Sequence, residues 1–456
     1  MSTLRFFGPL AELSPPDRVL LLERGLSRDP ALSSQVAALI GEVRADGDAA
    51  LRRLAQRLDG VALESLEVPR PELERALEAL SSEVRRGLER AARNLETVAR
   101  ASLPPPLEIE VEPGVTVGRR ADPFERVGVY APGGAAAYPS SVLMGVVPAR
   151  TAGVAEILVC SPSTPTGRPS DVVLAAALLG GATRVFALGG AGAIAALAYG
   201  TESVPRVDLI AGPGNTYVAE AKRQVAGAVG VASAFAGPSE IVVVAGPGGA
   251  ASPDELAAFA AIDLVVQAEH GPDGLAWLVT WDADVLAAVS ADVDRIVAAS
   301  PRRADLESTL ASSGIACLVD GPEYALAVAN TVAPEHLQLM VDDATAPGLL
   351  AQVQNAGAVF VGPWAPASLG DYIAGPNHIL PTNRTARFSS ALRADDFRKH
   401  IHAVRATPDA LVALGPAVMT LAAAEGLPAH ADSVRRRLDA LPHAPAPQSA
   451  PDGALA

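Results

Sequence analysis

A polar stripe on an otherwise apolar helix is the first feature of this sequence that could do chemistry. The segment "SPDELAAFAAIDLVVQAEHGPDG" predicts a helix that begins at Ser252, because Glu255 stands three residues later, as in a capping box. Asp263, Gln267 and His270 follow at spacings of four and three residues. Residues at these spacings share one face of a helix.

This stripe has two interpretations. If it faces solvent, water satisfies its polar groups. If it is buried, it needs partners, because an unpaired buried amide or carboxylate costs on the order of several kcal/mol. A buried stripe would suit a metal site in which Gln267 supplies an amide oxygen and His270 a ring nitrogen, with Asp263 as a supporting partner. Two ligands do not define a site, so both interpretations stay open at this point.

Three further groups of polar residues could supply ligands or acid–base groups. An imidazole can take a proton near neutral pH, and a neighbouring carboxylate can orient water or hold a charged imidazole. Each group alone is also compatible with an ordinary surface loop. The groups are Glu335 and His336 in "VAPEHLQLMV", Asp371, Asn377 and His378 in "LGDYIAGPNHILPT", and Glu425 and His430 in "AAAEGLPAH".

A glycine pattern typical of dinucleotide binding follows one apolar run. In "RVFALGGAGAIAALA", Gly190, Gly192 and Ala195 match the G-x-G-x-x-A form between a strand and a helix. The acidic residue expected about twenty positions later should end a strand, whereas Asp208 begins one. The pattern therefore gives only a weak indication of a nucleotide nearby.

The elements that must position these residues alternate between short apolar runs and Ala-rich helical stretches. The runs are "RVGVYAPGG", "EILVCSP", "RVFALGG", "VDLIAGPGN", "EIVVVAGP", "AWLVTW", "IACLVD" and "AVFVGP". Such alternation predicts an α/β fold with parallel sheets covered by helices. The runs form two sets of similar spacing, so we expect two doubly wound, incomplete Rossmann-like domains. Ligands in such sheets bind beyond the carboxyl ends of the strands.

Five segments are predicted along the chain. They are an N-terminal helical region with a hairpin (1–119), a first Rossmann-like domain (120–245), a second (246–385), a small helical C-terminal domain (386–440) and a disordered tail rich in Pro and Ala (441–456).

Composition limits the partners. The formal net charge is −15 and the isoelectric point is about 5.0, which argues against nucleic acid as a partner because phosphate binding needs clustered Lys and Arg. The most membrane-like segment, 172–200, is broken by paired glycines and by Arg184, so no membrane association is expected. Cys160 and Cys317 are expected to be core thiols. With no export signal visible, we expect a cytoplasmic protein.

Taken together, the motifs resemble the histidinol dehydrogenase family. The resemblance rests on "VYAPGG", "GGAGAIAALAYGTESV", "VDLIAGPGNTYVAEAKRQV", "AGPSEI", "QAEHGPDG", "APEHLQL", "GDYIAGPNHILPT" and "FSSALRADDF", which occur in the family's order over nearly the whole chain. It implies a homodimer with one zinc per subunit. It also implies that L-histidinol is oxidised through L-histidinal to L-histidine with reduction of two NAD, the last step of histidine biosynthesis.

The resemblance also implies roles for individual residues. The zinc ligands correspond to Gln267, His270, Asp371 and His430, with His430 supplied across the dimer interface. His336 corresponds to the catalytic base and Glu335 to the residue that activates water. The substrate-binding positions are Ser239, Gln267, His270, His336, Asp371, His378, Glu425 and His430, and the NAD-binding positions are Tyr130, Gly192 and Asn215.

The sequence departs from the family at Gly192, where glutamine is common, which removes a side-chain contact to NAD. Three other functions remain in view. The closest is a related zinc- and NAD-dependent dehydrogenase of another small alcohol, such as a sulfonated diol. A metal-dependent hydrolase using Glu335 to activate water would release no NADH. A non-catalytic binding protein is disfavoured because the proposed ligands and both catalytic residues are present.

Overall fold

The chain divides into two units, each described here by itself. The computed structural model describes residues 3–22, 29–133, 137–232, 237–248, 251–269, 271 and 274–441. The first unit contains residues 1–103 and 123–397, and the second combines 104–122 with 398–456. The structure thus groups the predicted segments differently, because the N-terminal helices share a unit with both predicted Rossmann-like domains.

Strands and helices alternate through most of the chain. The strands are β1 Phe6–Pro9, β2 Glu67–Val68, β3 Leu107–Glu112, β4 Val115–Pro123, β5 Arg126–Tyr130, β6 Glu156–Ser161, β7 Arg184–Ala187, β8 Leu209–Ala211, β9 Gly230–Val231, β10 Glu240–Ala245, β11 Leu275–Thr280, β12 Gly314–Leu318, β13 His336–Met340, β14 Ala358–Val361 and β15 Arg398–Ala406. The helices are α1 Pro15–Leu22, α2 Pro30–Leu54, α3 Arg70–Ala79, α4 Ser82–Ala101, α5 Pro139–Ala152, α6 Asp171–Gly180, α7 Gly190–Tyr199, α8 Thr216–Val225, α9 Pro253–Ala268, α10 Ala283–Ala299, α11 Arg303–Ser313, α12 Pro322–Val332, α13 Ala346–Leu350, α14 Ala367–Tyr372, α15 Pro408–Ala424 and α16 Pro428–Asp439.

Two six-stranded sheets form the first unit. The first sheet has the order β2-β7-β6-β5-β8-β9 and the second sheet the order β1-β12-β11-β10-β13-β14. The two sheets have the same topology. An edge strand from the N-terminal region comes first, and the five strands of each α/β segment follow in the order 3-2-1-4-5. All pairs are parallel except β2 with β7. The predicted α/β fold is confirmed, and the apolar runs quoted above form strands.

Burial explains why the central strands lack an alternating pattern. Every residue of β10, β11 and β13 is buried, because helices cover both faces of the second sheet. Cys160 in β6 and Cys317 in β12 are buried and free, so the expectation of core thiols is confirmed. None of the described helices is both long and apolar enough to cross a membrane.

The second unit departs from the expected helical domain. Its segment Arg398–Ala406 is a strand, β15, which forms a three-stranded sheet with β4 and β3, whereas helices were expected there. The predicted hairpin of β3 and β4 is present. Nearly all of β15 is exposed, so no buried face imposes a period of two on its sequence. Residues 442–456 of the predicted tail lie outside the described residues.

Candidate active site

A buried Glu–His pair lies at the amino end of the second sheet. Helix α12 ends at Ala333, which adopts a left-handed conformation with φ of 49° and turns the chain into the strand. β13 begins at His336, which lies between Ile241 and Ala358 on the neighbouring strands. Glu335 and His336 are 7% and 3% exposed, so both are shielded from bulk water.

The hydrogen bonds of His336 assign its ring nitrogens. Nδ1 lies 3.1 Å from the Glu240 carbonyl oxygen, which can only accept, so Nδ1 carries the proton in this bond. Nε2 faces Asp371 Oδ1 at 3.3 Å. The ring also lies over Phe360, with centroids 5.9 Å apart and an interplanar angle of 30°. The imidazole is therefore fixed in orientation between two acceptors, which favours its doubly protonated form while Asp371 is ionised.

Glu335 is held on the other side of the imidazole. Its Oε2 accepts the Glu240 backbone N–H at 3.0 Å and lies 3.5 Å from His336 Nδ1. Burial raises the pKa of Glu335 to about 7, although the neighbouring imidazole partly opposes this. Burial lowers the pKa of His336, but the negative charges of Glu335 and Asp371 outweigh that effect and raise the pKa. Burial therefore favours a neutral Glu335 carboxyl, whereas the neighbouring carboxylates favour a charged His336 imidazole.

The polar stripe of α9 is buried, so the solvent-facing interpretation is wrong. Asp263 is 8% and Gln267 is 4% exposed, whereas Ile262 on the same helix is 41% exposed. Among the residues that the structure describes, Asp263 Oδ2 and Gln267 Nε2 have no hydrogen-bond partner. Burial raises the pKa of Asp263 to about 7. His270, the third member of the stripe, lies outside the described residues.

Close backbone packing brings the end of α9 to the start of β10. A Cβ atom on Gly274 would lie 3.2 Å from the Ser239 carbonyl oxygen and 3.7 Å from that of Gln267. The Leu275 N–H donates to the Ser239 carbonyl at 3.0 Å. Ser239 directly precedes Glu240, so Ser239, Gln267 and the Glu–His pair all lie at the amino end of the second sheet.

Asp371 and His378 reach this end from a short helix and the loop that follows it. α14 packs so closely on β14 that a Cβ on Gly370 would lie 2.5 Å from the Phe360 ring. The His378 Nδ1–H donates to the Asp371 carbonyl at 2.7 Å, and its Nε2 lies 3.3 Å from Ser141 Oγ in α5. These bonds connect the loop to the helices of the first sheet as well as to the Glu–His pair.

This location contradicts the expectation that ligands bind beyond the carboxyl ends of the strands. Ser239, Glu335 and His336 lie where β10 and β13 begin. The register brings these residues together, because Ile241 of β10 is level with His336 of β13. The Asn383 N–H also donates to the Glu240 carboxylate at 3.0 Å. The loop between α14 and the end of the first unit therefore covers the amino ends of the second sheet.

At the first sheet, the positions predicted to bind NAD lie at or beyond the carboxyl ends of the strands. A cavity of about 900 Å³ opens beyond the carboxyl ends of its strands, and Tyr130, Gly192 and Asn215 all line it. The Gly190 N–H at the start of α7 donates to the Tyr130 hydroxyl at 3.1 Å. Asn215 caps α8, its Oδ1 accepting the Val218 N–H at 3.1 Å. Two helix N-termini thus open on this cavity, an arrangement that favours anionic groups.

Gly192 fits a close helix contact. A Cβ at this position would lie 3.0 Å from Leu54 Cδ1 and 3.5 Å from Leu51 Cδ2 of α2. Two leucine side chains of α2 therefore occupy the space in front of position 192, and both line the cavity. In this chain an apolar wall stands where a polar side chain is common in the family.

Glu425 and His430 belong to the second unit, where both are exposed. Glu425 follows the last residue of α15, and His430 lies in the first turn of α16, its N–H bonding to the Leu427 carbonyl at 3.1 Å. Among the described residues there is no group of three or more His, Cys, Asp or Glu side chains that could hold a metal ion. Three of the predicted ligands belong to the first unit. Gln267 is not one of these residue types and His270 lies outside the described residues, which leaves Asp371.

Sequence reasoning missed Glu240, Ser141 and Asn383. Glu240 binds both members of the Glu–His pair through its backbone, and backbone contacts leave no sequence signal. Ser141 contacts His378, although "SSVLMGVV" looks like an ordinary apolar helix. Asn383, which bonds to Glu240, adopts φ of 53°, a conformation that asparagine tolerates. Its position in "PTNRT" was the available signal.

Comparison with known proteins identifies the family. A family model described as histidinol dehydrogenase matches residues 22–438. The chain belongs to the histidinol dehydrogenase family. The histidinol dehydrogenase of Methylococcus capsulatus is 45% identical over 421 residues, covering 92% of this chain and 94% of that protein. That of Parasynechococcus marenigrum is 43% identical over 412 residues, covering 90% and 92%.

Solved structures agree. The crystal structure of histidinol dehydrogenase from Elizabethkingia anophelis has a TM-score of 0.89 and 32% identity, covering 96% of this chain and 99% of that chain. Members of the histidinol dehydrogenase family are NAD-dependent oxidoreductases of histidine biosynthesis, and this chain has that activity. Membership decides against the hydrolase, the dehydrogenase of another alcohol and the binding protein.

The buried stripe gives a pH-dependent prediction for the metal-free protein. Because burial raises the pKa of Asp263 in the folded state to about 7 from its ordinary value of 3.8, its stability contribution is complete below pH 4 and is lost as the pH rises through 7. We expect Asp263→Asn to raise the free energy of unfolding relative to the parent by about 2 kcal/mol at pH 8 and by much less at pH 4.5.

Urea unfolding at the two pH values measures this difference. The control is Asp254→Asn, which changes an exposed carboxylate on the same helix. An equal gain at both pH values, or the same gain in the control, would contradict the assigned cause.

Proposed function

We propose that this chain oxidises L-histidinol through L-histidinal to L-histidine at a zinc site beside the Glu335–His336 pair, in two steps that each use NAD. The observation that carries the proposal is the imidazole of His336. Its Nδ1–H is held by the Glu240 carbonyl, while its Nε2 lies 3.3 Å from Asp371, a proposed zinc ligand. Zinc on Asp371 would offset the carboxylate charge that favours the imidazolium, so that neutral His336 could take a proton from a substrate held at the metal.

The residues at the amino end of the second sheet fit a zinc ion. Gln267, His270, Asp371 and the partner subunit's His430 would supply two nitrogens and two oxygens, a donor set that suits zinc. Among the described residues, Gln267 Nε2 and Asp263 Oδ2 are buried without a hydrogen-bond partner on the same helix face. These unsatisfied atoms support the binding of a further group beside Gln267. Zinc, when bound, would hold the imidazole and amine of the substrate and withdraw charge from its alcohol oxygen.

The chain's own side chains supply the proton transfers. In the first oxidation, His336 Nε2 takes the hydroxyl proton as the C–H bond releases hydride, giving the aldehyde. Glu335, whose pKa is raised to about 7, then takes a proton from water as the water oxygen adds to the aldehyde carbon, while His336 returns its proton to the carbonyl oxygen to give the hydrate. In the second oxidation, His336 takes the proton of the resulting hydrate as the second hydride leaves. NAD, when bound, accepts one hydride in each step.

Burial protects the intermediate. Glu335 and His336 are both nearly inaccessible to bulk water, so the aldehyde can remain bound between the two oxidations. Ser239 and His378, which lie at the same end of the sheet, are proposed to hold the substrate. Glu425 of the second unit is proposed to bind its cationic amine, since a carboxylate suits that charge.

The cavity at the first sheet is the proposed NAD site. It is lined by the three family positions Tyr130, Gly192 and Asn215 and has space for a dinucleotide's larger groups. The start of α7 and the capped start of α8 offer backbone N–H groups to the diphosphate. Leu51 and Leu54 of α2 provide an apolar wall in place of the amide side chain common at position 192.

A homodimer is proposed to complete each site with His430 of the partner subunit. The second unit supports this, because its strands and helices leave many large apolar side chains exposed, more than water would favour on a monomer's surface. These are Leu107, Ile109, Val111, Ile401, Val404, Val412, Val418, Leu421 and Leu427.

The Glu335–His336 assignment predicts two different failures. We expect His336→Asn to lower kcat for L-histidinol by about 100-fold or more, because the first proton has no acceptor. Glu335→Gln should impair oxidation of added L-histidinal by a similar factor while affecting the first oxidation much less. NADH absorbance with each substrate measures both, and zinc content of the variants serves as the control. Loss of zinc from either variant, or equal loss of both steps in Glu335→Gln, would refute this division.

The shared site predicts complementation. His430→Ala and His336→Asn homodimers should each be inactive, but a mixed dimer carries both defects in one site and none in the other. After unfolding and refolding an equal mixture, we expect about a quarter of parental activity, since half of the dimers are mixed and each has one intact site. A mixture as inactive as its components would show that His430 acts within its own subunit.

A further inference from the structure

Lys222 is a buried cation that the proposed chemistry does not use. It lies in α8 of the first unit and is 0% exposed. Charged side chains are almost never fully buried without a partner. Among the described residues, no carboxylate forms an ion pair with Lys222. The position therefore needs an explanation beyond packing.

The composition of the chain strengthens this point. Of 36 basic residues, 34 are arginine, and only Lys222 and Lys399 are lysine. A chain that uses arginine almost everywhere retains lysine at its most buried basic position. Lysine can lose its proton when buried and has a slim four-carbon chain, whereas arginine stays charged and presents five donors. The buried space at position 222 therefore suits a lysine side chain with a single amine donor better than the broader guanidinium of arginine.

That donor is directed at a turn of the proposed NAD site. Lys222 Nζ donates to the carbonyl oxygen of Gly212. Gly212 has φ of +105°, and a Cβ on it would lie 2.0 Å from the Tyr130 carbonyl oxygen. The turn is therefore pressed against the end of β5 in a conformation that only glycine adopts easily. Its carbonyl points inward, where leaving it unpaired would be costly.

The same turn leads directly into the cavity. Gly214 packs on Val218, to which a Cβ would come within 2.3 Å, and Asn215 then caps α8 while lining the cavity. Lys222 lies seven residues, or two helical turns, after Asn215, on the same side of α8. The Lys222 side chain thus connects the middle of α8 to the turn at Gly212. This turn contacts Tyr130 and leads to Asn215.

We propose that Lys222 is a positioning residue of the NAD site, which fixes the Gly212–Asn215 turn in the conformation that binds the cofactor. This inference rests on the proposed placement of NAD in the cavity of the first sheet. Lys222 acts through the Gly212 carbonyl and does not touch the cofactor. Burial lowers the pKa of Lys222 to about 7, so the uncharged amine, which still donates, is accessible near neutral pH.

The test compares methionine at the two lysine positions. Lys222→Met keeps a slim chain but removes the donor, and Lys399→Met changes the exposed lysine of β15 as a matched control. For Lys222→Met we expect NADH binding, measured by fluorescence titration, to weaken about tenfold or more, because the turn loses its internal bond. KM for NAD should rise in parallel, while KM for L-histidinol and zinc content stay within about twofold of the parent.

A purely structural lysine would give another pattern. In that case Lys222→Met would change the melting temperature but leave the NADH dissociation constant of the folded protein unchanged. This result would overturn the proposal. If the parent itself fails to bind NADH or to form it from L-histidinol, the proposed function fails instead. Unchanged binding in Lys222→Met with an active parent refutes only the role of Lys222.

A measurement on the parent protein covers the case in which Lys222→Met does not fold. Because the chain has two lysines, labelling lysine with ¹³C at Cε gives two signals in the NMR spectrum, and the control variant assigns them. Saturation with NADH should shift the Lys222 signal and leave that of Lys399 in place. No shift at Lys222 on saturation would show that the amine does not respond to the site, and the proposal would be wrong.

Discussion

The hydrogen bond from His336 Nδ1 to the Glu240 carbonyl is the interaction on which the rest of the site depends. It places a proton on Nδ1, leaves Nε2 as the nitrogen that faces Asp371, and ties the imidazole to a backbone group that cannot rotate away. The Glu240 N–H holds Glu335 in the same manner. Two adjacent strands of a buried parallel sheet therefore fix the Glu335 carboxyl and the His336 imidazole relative to each other.

This constraint explains why the site lies at the amino ends of the second sheet. Residues that begin strands β10 and β13 present both backbone N–H and C=O groups outside the regular ladder, and these groups orient the Glu–His pair. The carboxyl ends of the first sheet differ, because the cavity there is bounded by two helix N-termini. In the proposed function, proton transfer takes place at the second sheet and NAD binds at the first.

Much of this could be predicted from the sequence, and the failures have physical reasons. The capping box at Ser252 fixed the register of α9, so the shared face of Asp263 and Gln267 was correct, but the apolar composition gave no sign of which face is buried. The strands of both sheets were visible because buried parallel strands are continuous apolar runs. β15 was missed because an exposed strand carries no burial pattern, and Glu240 was missed because it acts through its backbone.

The most direct test of the central claim is an anomalous difference map at the zinc edge from crystals of the protein grown with zinc. The account predicts a peak about 2.0–2.3 Å from an Asp371 carboxylate oxygen, the Gln267 amide oxygen, His270 and the partner subunit's His430, within reach of His336 Nε2 through a bound alcohol. A fully occupied peak elsewhere, or one that lacks Gln267 and Asp371, would contradict the account.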